Sequence, residues 1–413
     1  MKQIDKHDRE IIRDLAKRVV EIAADPVMSE RRKLWTAHNS LRPVRPMLLI
    51  FPEGSWLELL PDDALLCEEP FARAIEARLK RTIYTNDHFH DDTVVEPEWV
   101  ESAVISSTGW GLEPHLHDRT EARGSFAFEP VLNDSDDLKK MRFPELVYDE
   151  PATTRNIEIM QDLLGDILPV KLVGRVHISY HLTSQLIYLR GVTEMMMDMI
   201  DRPEFVHEVM AFFEEGHRKE LQQLIDMNLL SLNNNGTYQS SGGNGYTDEL
   251  PAEGFNPDRV RPCDMWASAE AQELAGVSPD MHCEFAMQYE NRLLEPFGLS
   301  GYGCCEDLTH KLDYVKQIPH IRRISCSPWA NVDRCAEKLK EEYIFSWKPN
   351  PAHLVGTFDP VDVRNYIRHT INVCKENNCV LEIILKDTHT AEQHPERFDE
   401  WTRIAREEID ATA

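Results

Sequence analysis

Apolar positions recur at helical spacing near the start of the chain, where Ile11, Ile12, Leu15, Val19, Val20 and Ile22 mark one face of a helix. Ser29 is placed to cap a second helix through Leu34 and Trp35. Met47 to Phe51, bounded by prolines, reads as a buried strand. A helical stretch over 69–82 and a strand-like Thr93-Val94-Val95 follow, and 100–150 has no clear pattern. From about residue 169 short apolar runs alternate with amphipathic stretches. Expected strands are 170–173, 229–232, 299–305, 321–326, 343–347 and 380–385. Helices are expected after Asp201-Arg202-Pro203, Ser278-Pro279, Asp333, Asp359-Pro360 and Pro395.

Repeated strand-then-helix units of this length favour a parallel sheet. Their number points to an α/β protein built as a (β/α)8 TIM barrel, with residues 1–45 as an N-terminal helical extension and 46–413 as the barrel. An open doubly wound sheet is the competitor. The polar, glycine-rich segment 233–262 interrupts the rhythm, and a connection that long reads as a lid or a disordered stretch. There is no internal repeat.

Composition narrows the function classes. The 413 residues carry 45 lysines and arginines against 72 acids, a formal charge of −27. The acids are spread along the chain, which argues against nucleic acid or an anionic membrane as partner. No apolar run reaches the roughly 20 residues a bilayer span needs, and the first residues carry no signal core, so a cytoplasmic location is expected. A small molecule is the expected partner, and a homodimer is compatible with the chain. Nine cysteines in no scaffold-like spacing read as reduced thiols. Walker, GxGxxG, HExxH and GxSxG patterns are all missing, which disfavours nucleotide-driven chemistry.

In a barrel, residues just past each strand line one mouth. That rule selects Asp91 and Asp92, Asn233 to Asn235, Cys304-Cys305-Glu306, Ser327-Pro328-Trp329, Trp347-Lys348-Pro349-Asn350 and Lys386-Asp387-Thr388-His389. Cys304, Cys305 and Glu306 offer soft and hard donors of the kind zinc accepts, although spacing alone, with no CxxC pair, slightly favours two core cysteines beside a surface glutamate. Lys386, Asp387 and His389 suit proton transfer, anion binding or metal ligation, or form a polar loop. Trp347 and Lys348 offer a wall and a cation, or a rigid turn. His282-Cys283-Glu284 falls in a helix, where consecutive residues fan out. The spacings His88-x-His90 and His115-x-His117 read as surface histidines, and Met195 to Met197 as packing.

Over about residues 130–410 the order of segments resembles the uroporphyrinogen decarboxylase superfamily. The resemblance is carried by Asp136, Leu138 and Leu146, by Gly191 through Pro203-Glu204-Phe205-Val206, by the Gly303-Cys304-Cys305-Glu306 strand end, and by Asn350-Pro351 with Leu354. Arg45-Pro46 carries nothing like the decarboxylase Arg-Gln-Ala-Gly-Arg-Tyr motif, so uroporphyrinogen is not the expected substrate. In the zinc-dependent, corrinoid-linked methyltransferase branch a His-x-Cys pair ends the corresponding strand. Cys305 matches that cysteine, while Gly303 stands at the histidine position and the later family cysteine falls near Lys386 to His389.

The resemblance implies a methyltransferase acting on a small methylated metabolite, with zinc and with a corrinoid carried by a partner protein. Under it, Cys305, Glu306 and Asp387 would bind the metal. Asp92, Lys386 and His389 would be catalytic, and Asn234, Trp347 and Lys348 would face substrate. The alternatives are a metal-free lyase using Asp92 and His389 as acid and base, and a non-catalytic binding barrel.

Overall fold

The computed structural model describes residues 4–116 and 128–412. Seven parallel strands form its centre: β1 (Met47–Ile50), β2 (Ser179–Tyr180), β3 (Trp266–Ala269), β4 (Leu299–Tyr302), β5 (Ile321–Cys326), β6 (Ile344–Trp347) and β7 (Val380–Leu385). Their spatial order is β1-β7-β6-β5-β4-β3-β2, so β2 through β7 lie in sequence order and β1 pairs with β7. Helices follow the strands. The helix Pro360–Glu376 shows why: Asp359 accepts hydrogen bonds from the amides of Val361 and Asp362, Pro360 opens the first turn, and Val363, Ile367 and Ile371 form the buried stripe. Among the described residues no helix is long and apolar enough to cross a membrane.

The two faces of the sheet differ. Leu48, Ile50, Tyr302, Ile324, Phe345, Trp347, Leu381, Ile383 and Leu385 point to the helical layer and join the main hydrophobic cluster. Each such large side chain taken out of water contributes about 1.5–3 kcal/mol. Arg323, Ser325, Ser346, Glu382 and Lys386 alternate with them and are buried on the inner face. The helix Lys6–Ala23 sits apart from that sheet, packing Ile12, Ala16, Val19 and Ile22 into a second cluster with Ile75 and Leu79 of the helix Pro70–Tyr84.

Several expected elements are corrected. The second helix starts at Pro26 with Asp25 as its cap, not at Ser29, because the Asp25 carboxylate and Pro26 together meet the needs of a first turn. Val170–Val173 pairs with Trp99–Ser102, outside the central sheet. Residues 229–232 make only one bridge, Leu230 to Arg175, and Thr93 to Val95 form no strand. Conversely β2 and β3 escaped notice, since Trp266-Ala-Ser-Ala and Ser179-Tyr180 carry too little apolar signal to read as strands.

The polar segment 233–262 is also corrected, because its first half turns into the inner face instead of hanging outside as a lid. Tyr238–Gln239 and Gly243–Asn244 form a short antiparallel pair, and residues 241–247 are buried. Asn233 anchors the entry: its Nδ2 donates to the carbonyls of Val176 (2.8 Å) and Trp266 (3.0 Å), and its Oδ1 accepts from the Trp266 amide (2.9 Å). Glycine is needed here for close approach. A Cβ on Gly243 would lie 2.2 Å from Cζ of Arg323, and one on Gly242, at φ +145, would lie 2.4 Å from Cγ2 of Ile384.

Below the strand ends lies a sealed charge network. Arg323 Nε donates to Glu382 Oε1 (2.8 Å), and Arg323 Nη2 donates to Glu382 Oε2 (3.2 Å), Asn39 Oδ1 (2.7 Å) and the Asn244 carbonyl (3.2 Å). His38 Nε2 lies 3.3 Å from Glu382 Oε2, and the Ser346 hydroxyl donates to the same carboxylate. Strands β5, β6 and β7, the helix Pro26–Asn39 and the inward segment are thereby tied together.

Candidate functional site

The carboxyl ends of β3, β4, β6 and β7 bring Glu270, Cys304, Lys348 and Lys386 to one end of the sheet. Glu270 is the organising residue. Its Oε1 lies 2.6 Å from Nδ1 of His181, just past β2, and a carboxylate there fixes the hydrogen on Nδ1 and leaves Nε2 for another partner. Burial would raise the Glu270 carboxyl, yet the His181 hydrogen bond, with help from Cys304 and Lys386, holds it below its ordinary value. Burial would lower His181, but Glu270, with Glu273 and Glu306, holds the imidazole above its ordinary value. The two shifts agree on a charged pair.

β4 ends at Tyr302, and Gly303, at φ +91, turns the chain so that consecutive thiols meet. Cys304 Sγ lies 3.5 Å from Cys305 Sγ, and Cys305 Sγ lies 3.6 Å from Asp387 Oδ2. Lys386 Nζ lies 3.7 Å from Cys304 Sγ and 3.7 Å from Asp387 Oδ1. The Cys304 thiol is pushed up, first by its hydrogen bond with Cys305, then by burial and the Glu270 charge. Lys386 is raised: burial opposes its charge, but Tyr238, Cys304 and Asp387 outweigh it. Lys348, fully inside, is lowered to about 8 by burial.

Glu306 turns away from the thiols. Its Oε2 accepts the Cys304 amide (2.7 Å) and its Oε1 the Ala271 amide (3.4 Å), so both oxygens are engaged with backbone. As a metal set, Cys305, Glu306 and Asp387 therefore do not converge, and among the described residues no three His, Cys, Asp or Glu side chains do. The donors present do not fit a zinc site.

Burial nevertheless pushes the Glu306 carboxyl up to about 6 from 4.5. The folded chain keeps that proton after the unfolded chain has released it, so this group's stabilisation is full below 4.5 and is lost as pH rises through about 6. Glu306→Gln, which keeps an oxygen acceptor and never ionises, is expected to remove that loss. Thermal unfolding of both proteins across this pH range should show the variant gaining on the parent as pH rises, and a constant difference would contradict the raised carboxyl.

The other expected site residues fall elsewhere. Asp92 is not free for catalysis: it accepts from Arg45 Nη1 (2.9 Å) and Nη2 (2.6 Å), the Leu48 amide (2.8 Å) and Arg406 Nη2 (3.0 Å). It staples the early part of β1 to the last helix. Trp347 faces the helices, packing its ring 5.0 Å from Tyr366, because strand residues alternate and its neighbour Lys348 takes the inner face. Asn234 Nδ2 donates to the Leu250 carbonyl (2.8 Å) and so holds the polar segment to itself. His389 is exposed beside Gly54.

Of the histidine pairs, His117 lies outside the described residues, and His88 stacks on Tyr84 at 3.9 Å. Glu284 lies 3.4 Å from His207 on the helical layer. His282 Nε2 lies 2.8 Å from the Tyr302 hydroxyl, which donates to Glu290 Oε2 at 2.9 Å, a buried network behind β4. Glu270 and His181 were missed; the signal available was the alternation Trp266, Ser268, Glu270. A groove of about 940 Å³ lined by Arg78, Trp99, Glu96 and Asn235 holds none of these thiols or lysines.

No family model matches the chain, and no curated protein matches it. Among solved structures it is similar to a methyltransferase from Methanosarcina mazei, with 12% identity, coverage of 92% of this chain and 98% of that one, and a TM-score of 0.50. At that identity the likeness is one of fold: this chain is an α/β protein with a seven-stranded parallel sheet, folded like that protein.

Proposed function

We propose that this chain is a methyltransferase acting on a small methylated metabolite at the carboxyl ends of its strands, in the manner of the corrinoid-linked branch of the uroporphyrinogen decarboxylase superfamily. The same reading makes the seven parallel strands part of a (β/α)8 barrel with residues 1–45 as an extension. A strand order that runs in sequence from β2 to β7 and sets β1 beside β7 supports it, since winding around a barrel produces that order while a doubly wound sheet reverses direction.

The observation that carries the reading is the convergence of the Glu270–His181 pair with Cys304, Cys305 and Lys386. In the transfer, the bond from the methyl carbon to its nitrogen, oxygen or sulfur breaks, and the electron pair stays on that heteroatom. His181 supplies the proton the leaving heteroatom needs, and Glu270 holds the imidazole for it. A corrinoid carried by a partner protein would supply the nucleophile that takes the methyl. The side chains around the half-buried thiols limit water at the reacting atoms.

The test uses the purified chain with reduced free cobalamin as acceptor and a panel of methyl ethers, thioethers and methylamines as donors. Methylcobalamin formation, read by absorbance, is expected with one donor class. Failure with all three classes would remove the methyltransferase reading.

A further inference from the structure

Among the described residues Lys348 has no carboxylate partner, and Lys386 has one at long range, Asp387. The Trp347–Ile383 register sets Lys348 beside Ile384, so the two lysines sit on adjacent strands with Lys386 nearer the strand ends. Lys348 is 2% exposed. Its Nζ donates only to the Ser346 carbonyl (3.0 Å) and hydroxyl (2.6 Å), and among the described residues it makes no ion pair. Glu382, the nearest acid by charge, is already held by Arg323 and Ser346. Lys386 is 7% exposed, and its two contacts, with Cys304 Sγ and Asp387 Oδ1, are both long at 3.7 Å. The Lys348 ammonium, buried with neutral partners, is costly, and the Lys386 charge on the neighbouring strand repels it. A bound anion relieves both costs.

We infer that Lys348 and Lys386 form the anion-binding end of this site and take the carboxylate of a small methylated acid. The methyl-bearing heteroatom of that acid then lies toward Cys304, Cys305 and the Glu270–His181 pair. A carboxylate suits the site better than a phosphate, because Glu270, Glu306 and Asp387 surround the same strand ends and a dianion would meet their repulsion. Burial, and then the Lys386 charge, lower Lys348 to about 8 against the pull of Glu382. This inference rests on the methyltransferase reading for the chemistry of the ligand, and on the lysines alone for its charge.

The experiment is calorimetric titration of the full chain with methoxyacetate, with its uncharged counterpart 2-methoxyethanol, and with methylphosphonate. Methoxyacetate is expected to bind at least about tenfold more tightly than 2-methoxyethanol, a difference of about 1.4 kcal/mol. Lys348→Met and Lys386→Met should each remove most of that preference and leave the alcohol unaffected. Removing a buried charge should also raise the Tm of Lys348→Met in the ligand-free protein, which shows that the variant folds; if it does not fold, Lys386→Met alone decides. Equal binding of the acid and the alcohol, or a preference that survives both substitutions, overturns the inference, and tighter binding of methylphosphonate overturns the carboxylate assignment. Lysine-dependent methoxyacetate binding without methyl transfer from any donor upholds the subsite and removes the methyltransferase reading. Methyl transfer from neutral donors with no methoxyacetate binding does the reverse.

Discussion

Replacing Arg323 by methionine is expected to cost about 3–5 kcal/mol of folding stability, because it strands the Glu382 carboxylate in a dry interior. Both side chains of this pair are 0% exposed. Burial alone would raise the Glu382 carboxyl, but Arg323 and then His38 draw it well below its ordinary value, so the charge persists only while its partners do. The loss also removes the donors to Asn39 and Asn244 and loosens the inward segment that Gly243 fits against the guanidinium. Urea unfolding measures the effect. The double variant Arg323→Met with Glu382→Met should recover most of the loss, since exchanging a whole buried pair for apolar groups is often close to neutral. A single-variant cost under about 1 kcal/mol, the scale of an exposed pair, would mean that water reaches the network.

Glu270→Gln is expected to lower methyl transfer by about 10²–10⁴-fold, the range for a positioned proton donor, with the fold intact. Glutamine keeps the shape and an acceptor oxygen for His181 Nδ1 but removes the charge that raises the imidazole. The protonated form of His181 is the active one in the proposed transfer. Activity therefore falls as pH rises through its titration, and in the variant that fall is expected at lower pH than in the parent. The profile of kcat/KM against pH in the cobalamin assay reads this shift. A purely structural role for Glu270 would alter Tm and leave the limb of the profile in place.

What the sequence expressed about this fold depended on how local each signal was. Ile321–Cys326, Val380–Leu385 and the helix from Asp359-Pro360 were legible because a short stretch dense in apolar residues marks a buried strand, even with Arg323 or Glu382 inside it, and an acid followed by proline marks a helix start. The position of Cys304, Cys305, Lys348 and Lys386 at one end of the sheet was legible from one rule, that residues just past parallel strands share a face. Trp347 was misread by a single position: in a strand buried on both faces, apolar content does not say which residues point inward, and a shift of one exchanges the faces. Asp92 was misread because a carboxylate near a strand looks alike in sequence whether it meets substrate or two arginines. His181 and Glu270 were missed because they follow strands of two and four residues with little apolar signal.

By itself the sequence determined an α/β chain of strand and helix units, strongly acidic, with thiols and lysines at the ends of its later strands. Periodicity and capping are properties of residues a few positions apart, so they are written in order along the chain. Only the tertiary structure decided that the glycine-rich segment fills the inner face, that Arg323 and Glu382 meet across 59 positions, and that His181 meets Glu270 across 89. Those pairings come from sheet register and burial, which make a charge favourable only where a distant partner arrives.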